Sequence, residues 1–182
     1  MPLGAESSRK LLIEGRPGSG KTTAAARLVE LLRERQMTVA GFLTREIRRR
    51  GARVGFEVEA LDGQRDVLAG VELTGPPRVG KYGVDLEAFE RVALPAISDP
   101  DADVVVIDEL GKMELASDRF CDAIRRLLEK PLPLVATVHA SRHPFTDAVK
   151  SRRDVELVRL TRSVRDGLPE KLASGLASGE RH

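Results

Sequence analysis

Residues Gly15-Arg16-Pro17-Gly18-Ser19-Gly20-Lys21-Thr22 match the pattern G-x-x-x-x-G-K-[ST], and their reading decides the fold. The short apolar run Lys10–Ile13 leads into this turn. Thr22–Gln36 follows it with helical spacing, placing Ala25, Leu28, Val29 and Leu32 on one face. Glycines let successive backbone N–H groups curl around a phosphate without Cβ clashes. The helix N-terminus behind them adds positive potential. In this arrangement Lys21 reaches β- and γ-phosphate oxygens, and the Thr22 hydroxyl ligates Mg²⁺. The expected nucleotide-binding residues are Gly15, Arg16, Pro17, Gly18, Ser19, Gly20, Lys21, Thr22 and Thr23. Two carry a plainer alternative: Arg16 points out as readily as in, and Thr23 can be a first-turn helix residue.

Outward from the loop, strands alternate with helices. Thr38–Thr44 reads as a strand. An arginine-heavy turn follows (Arg45, Arg48, Arg49, Arg50, Arg53), then alternating Val54, Phe56, Val58 and Ala60. Arg49 and Arg50 read as a solvated face, while Arg45 or Arg48 could touch a phosphate or base. Asp62-Gly63 is a hairpin signal with Arg65–Ala69 as the return strand. Residues 45–70 are therefore expected to be an antiparallel hairpin insertion. Gly75-Pro76-Pro77 marks a loop, and Asp85 caps a helix carrying Leu86, Phe89, Ala93 and Ile97. Val104–Ile107 is apolar throughout, as a buried parallel strand is. Ser117 caps a helix with Phe120, Cys121, Ile124, Leu127 and Leu128 inward, stopped by Pro131 and Pro133. Leu134–Val138 and Val155–Leu160 read as further strands, with a short helix after Ser163. The predicted fold is α/β: a three-layer sandwich around a mostly parallel sheet with the hairpin inserted. Residues 1–173 form one domain in this reading, and 174–182 form a flexible tail.

Asp108 and Glu109 end the buried strand. Ligands of such sheets sit beyond the carboxyl ends of the strands, where these acids fall. Asp108 can hold Mg²⁺, often through water, and Glu109 can orient or deprotonate an attacking water. His139 ends the next strand and can sense a γ-phosphate; a surface loop histidine is the rival reading. His143 reads as loop surface. Lys112 could supply in cis the charge an arginine finger brings, or form a salt bridge to Glu114. Asp108 and His139 thus join the expected nucleotide-binding residues; the candidate catalytic residues are Glu109, Lys21 and Lys112, and the candidate metal ligands Thr22 and Asp108.

Composition sets the limits. The chain has 182 residues, 41% hydrophobic and 32% charged, which suits one domain with a sizeable core. Thirty Lys and Arg nearly balance 28 Asp and Glu, for a formal charge of +2. That balance, with 3% aromatics and no Trp, argues against a dedicated nucleic-acid binder. The single cysteine, Cys121, excludes an internal disulfide framework and suits a reducing compartment. The first ten residues lack an apolar run, so no signal peptide is expected, and no run is long enough to span a bilayer. A cytoplasmic location is the resulting expectation. The sequence contains no Asn, so the Asn-Lys-x-Asp element of guanine-specific GTPases cannot exist here.

The sequence resembles the cancer-related nucleoside-triphosphatase family and its thermophile homologues, from the loop to about Leu172. The resemblance is carried by Gly15–Thr23, by Gly41-Phe-Leu-Thr44 with Glu46, Arg48, Arg53, Gly55 and Phe56, and by Val79-Gly-Lys-Tyr82. It continues through Val84-Asp-Leu86 with Phe89, and Ala93-Leu-Pro95. Its most distinctive part is Ile107-Asp-Glu-Leu-Gly-Lys-Met-Glu114. The resemblance implies Mg²⁺-dependent hydrolysis of ATP, GTP and other nucleoside triphosphates to diphosphate and phosphate, slowly and with little base preference. It also implies a RecA-like sheet. One departure is Val164-Arg165, where the family tends to show Asn-Arg. Tyr82 is read as a structural loop residue, with base stacking as the alternative. Two other functions fit the same loop: a kinase for a nucleotide, nucleic-acid end or small hydroxyl substrate, and a nucleotide-gated binding module without turnover.

Overall fold

The computed structural model describes residues 9–179. The reading of the first residues as lacking a signal peptide concerns mainly residues 1–8, outside that range. The chain runs β1 (Lys10–Gly15), α1 (Lys21–Glu34), β2 (Val39–Arg49), β3 (Ala52–Ala60), β4 (Arg65–Gly70), β5 (Arg78–Val79), β6 (Tyr82–Val84) and α2 (Leu86–Ser98). It continues through β7 (Val104–Leu110), α3 (Asp118–Glu129), β8 (Leu134–His139), α4 (Pro144–Lys150), β9 (Val155–Arg159) and α5 (Leu168–Ser178). Among the described residues these strands form one sheet in the order β5-β6-β4-β3-β2-β7-β8-β1-β9.

The sheet is mixed, which corrects the mostly parallel expectation. β2, β7, β8, β1 and β9 pair in parallel. β2, β3, β4, β6 and β5 pair antiparallel, so the two kinds of pairing are equally frequent. The cause is the length of β2. Its first half, Val39–Phe42, pairs with β7, and Phe42–Arg49 runs on to pair with β3. Arg45, Arg48 and Arg49 are therefore strand residues, and the turn falls at Arg50-Gly51. Both turn residues have positive φ, 48° and 80°, the signature of a tight hairpin turn matched to strand twist. The expected hairpin is thus a wing of the main sheet, extended by β5 and β6 beyond residue 70.

Helices cover both faces. Strand side chains alternate, so the apolar run of β7 feeds two cores. Val105 and Ile107 join Leu12 and Phe42 beneath α2 and α3, while Val104 and Val106 join Leu11 and Ile13 beneath α1 and α5. On the first face Phe42, Phe89 and Phe120 interlock, with ring centroids 5.0 to 5.8 Å apart. Asp85 and Ser117 cap α2 and α3, each side chain accepting from a backbone N–H, as their positions in the sequence predict. The short helix expected after Ser163 is α5, and Ser174–Ser178, read as the start of a tail, complete it. Leu176 is buried there beside Leu172. Among the described residues no helix is long and apolar enough to cross a membrane.

Candidate functional site

The carboxyl ends of β1, β8 and β7 bring the predicted groups together. β8 lies between β1 and β7, and Gly15 is in register with His139. Between Ile107 and Leu110, β7 advances three residues while β8 advances two, from Ala136 to Val138. This bulge lies at Asp108 and Glu109; bulges are a common way to re-aim side chains beside a site. The peptide joining the two acids is cis. Opposite them, Gly20 opens α1 with φ of 99°, a conformation open to glycine at little cost. The first turn of α1 contains no acid, so its free N–H groups meet no intrahelical anion.

Lys21 is buried, and its Nζ donates to the carbonyls of Gly15 (2.8 Å) and Arg16 (3.2 Å). The same Nζ lies 3.9 Å from Glu109 Oε2. The other Glu109 oxygen, Oε1, is 2.6 Å from His139 Nε2. Glu109 is thus held between a cation of the loop and an imidazole of the intervening strand. Its side chain keeps 20% exposure, enough for water to reach it.

Asp108 is fully buried. Its Oδ1 accepts from the Thr137 hydroxyl at 2.6 Å, and its Oδ2 from the Thr44 hydroxyl at 3.3 Å. Burial pushes its carboxyl above the ordinary range, and hydrogen bonds from Thr137 and Thr22 pull the other way. Thr22, in contrast, is exposed on the cavity wall. A threonine hydroxyl backed by a carboxyl is an all-oxygen donor set, the kind Mg²⁺ takes. Among the described residues no cluster of three or more His, Cys, Asp or Glu could hold a metal alone. Such a site relies on phosphate and water oxygens for its remaining positions, as Mg²⁺ sites usually do.

Two cavities flank the loop. The larger, about 780 Å³, is lined by Lys21, Thr22, Glu109, Lys112, His139 and, toward the wing, Arg53. The smaller, about 520 Å³, is lined by Gly15, Arg16, Ser19, Thr161, Arg162 and Arg165. Pro17 and Gly18 border both. Of the expected nucleotide-binding residues, Gly15, Arg16 and Ser19 therefore face the second cavity and not the one lined by Glu109. Asp108 lines neither.

Other expectations divide. Lys112 is exposed, lines the larger cavity and makes no ion pair with the buried Glu114. Arg45, Arg48 and Arg49 pair with Glu59, Glu46 and Glu72. Tyr82 is only 7% exposed, and its ring packs edge-on to Phe56. Its hydroxyl accepts from Arg53 Nε at 3.0 Å. That makes it a structural residue of the wing, although it borders the cavity. His143 caps α4 by accepting from the Phe145 N–H. Sequence reasoning did not assign the Asp108 partners Thr44 and Thr137. Their signal was a lone polar residue in an otherwise apolar buried run, Gly41–Thr44 in β2 and Leu134–Val138 in β8.

A family model described as NTPase matches residues 10–173. The chain is 38% identical over 169 residues to nucleoside-triphosphatase THEP1 of Thermotoga sp. (strain RQ2), covering 92% of this chain and 95% of that one. It is 38% identical over 176 residues to the cancer-related nucleoside-triphosphatase homolog of Mus musculus, covering 88% and 93%. The crystal structure of THEP1 from Aquifex aeolicus superposes with a TM-score of 0.82 at 34% identity, covering 92% of this chain and 98% of that one. The chain belongs to the NTPase family.

Proposed function

We propose that residues 10–173 act as one domain that hydrolyses ATP, GTP and other nucleoside triphosphates to diphosphate and phosphate, with Mg²⁺ as cofactor. The observation that carries this reading is the convergence of Lys21, Glu109 and His139 on one cavity wall. Relatives named nucleoside-triphosphatase support it.

The loop amides and Lys21 bind the β- and γ-phosphates, so the γ end lies in the larger cavity. The nucleoside end then leaves over Pro17 and Gly18 toward the smaller cavity. That cavity offers arginines and no aromatic slot, which suits broad base tolerance. Thr22, backed by Asp108, would hold Mg²⁺. When bound, the ion neutralises charge on the β- and γ-phosphate oxygens.

Glu109 orients a water in line with the γ-phosphorus and takes its proton. The water oxygen–phosphorus bond forms as the bridging bond to the β-phosphate breaks, and the diphosphate leaves with that electron pair. His139 holds Glu109 in place through Oε1. Lys112 swings its ammonium toward the transferred group from the cavity rim. Unless Lys112 supplies the full charge of a finger, turnover is expected on the order of 10⁻² s⁻¹ or slower.

The reach of the larger cavity toward Arg53, Phe56 and Tyr82 favours one second reading, transfer of the phosphoryl group to an acceptor hydroxyl. Phosphate release from ATP, GTP, CTP and UTP, with Mg²⁺ and with chelator, separates the two. Release from all four without added acceptor, lost on chelation, supports hydrolysis. Release that appears only as transfer to an added hydroxyl acceptor supports the kinase reading.

A further inference from the structure

Glu114 is a carboxyl without an assigned role inside the cavity wall. It is 4% exposed, on a single 3₁₀ turn, Glu114–Ala116, that follows β7. Among the described residues it makes no ion pair. Its neighbour is Glu109, and the two meet over Gly111. A Cβ placed on Gly111 would fall 2.8 Å from Glu114 Oε2 and 2.9 Å from Glu109 Oε1. Both oxygens therefore crowd onto the bare Cα of one glycine.

We propose that Glu114 is a positioning residue, whose carboxyl, packed with that of Glu109 above Gly111, fixes Glu109 facing the phosphate loop. This rests on the reading of Glu109 as the group that orients water. Two carboxylates side by side in a dry wall repel each other unless one carries a proton. Burial, then the charges of Glu109 and Asp108, push the Glu114 carboxyl well above the ordinary range, against hydrogen bonds from the backbone N–H groups of Gly111 and Glu114. A protonated Glu114 adds no charge beside the γ-phosphate, and it has a donor to offer Glu109. His139 from β8 and Lys21 from the loop then fix the other sides of that carboxylate. Lys112 stands outside this arrangement, exposed at the rim.

The test is steady-state GTP hydrolysis with Mg²⁺ by wild type, Glu114→Ala, Glu114→Gln, Gly111→Ala and Glu109→Gln, with thermal melts of each. Glu114→Ala should lower kcat about tenfold and leave KM within about twofold, the pattern of a misplaced catalytic group. Glu114→Gln, a neutral isostere with a donor, should restore kcat. Gly111→Ala, which reaches the same pair from the backbone side, should lower kcat as Glu114→Ala does. In the Glu109→Gln background Glu114→Ala should cost nothing further. Unchanged kcat in folded Glu114→Ala, a Gln variant as poor as Ala, or an equal loss in both backgrounds would overturn the proposal. Should Glu109→Gln itself keep full turnover, the hydrolytic reading of Glu109 falls instead.

Discussion

His139 Nε2 and Glu109 Oε1 stand 2.6 Å apart, joining the end of β8 to the end of β7. The pairing follows from the sheet order, because β8 lies between β1 and β7 and carries His139 to the end of β7. It predicts that His139 acts through Glu109. His139→Ala should lower kcat by about 10- to 100-fold with little change in KM. His139→Gln should recover part of the loss by offering a donor at similar reach. Steady-state kinetics on ATP checks both.

Lys21 donates to the Gly15 and Arg16 carbonyls, so its ammonium is already poised at the mouth of the loop. A charged hydrogen bond to phosphate is worth about 1.5–3 kcal/mol. Lys21→Ala should weaken GTP binding by about 10- to 100-fold, and guanosine binding hardly at all. Calorimetric titration of the two ligands measures the difference.

Among the described residues Lys112 makes no ion pair, and it stands on the rim of the same cavity. Removing one preorganised charge from a transition state costs about 10²–10³ in kcat. Lys112→Ala should show a loss of that order with unchanged nucleotide affinity. A loss confined to thermal stability would make it a structural lysine. Single-turnover hydrolysis separates chemistry from binding.

The buried Glu114 gives the nucleotide-free protein a pH signature. Its carboxyl is raised in the folded state by burial first and by Glu109 and Asp108 next. Above about pH 4 the unfolded chain releases this proton while the folded protein keeps it. The folded state then binds more protons, so stability falls as pH rises through that window. Buried Asp108, also raised, acts in the same direction. Melting temperatures between pH 5 and 8 should decline less steeply for Glu114→Gln than for wild type.

Much of this was legible in the sequence, because phosphate chemistry fixes both residue types and their spacing. Gly15–Thr22 placed the loop, Asp108 and Glu109 marked the second half, and Asp85 and Ser117 announced their helices. The sheet's mixed character was not legible. Nothing in Val39–Arg49 says where pairing with β7 stops, since the strand keeps one conformation while its neighbour changes. The Arg50-Gly51 turn was hidden among arginines that read equally well as a turn of their own. The Glu109–Glu114 meeting over Gly111 is a product of tertiary packing, and spacing alone pointed Glu114 toward Lys112 instead.

The central claim is that Glu109 activates water against a triphosphate held by the loop. Phosphate release from ATP, GTP, CTP and UTP by wild type and Glu109→Gln, with nucleotide binding measured in parallel, tests it most directly. Wild type should hydrolyse all four, and the variant should bind them as well as wild type while losing at least about 100-fold in turnover. A variant that turns over at the wild-type rate would contradict the account.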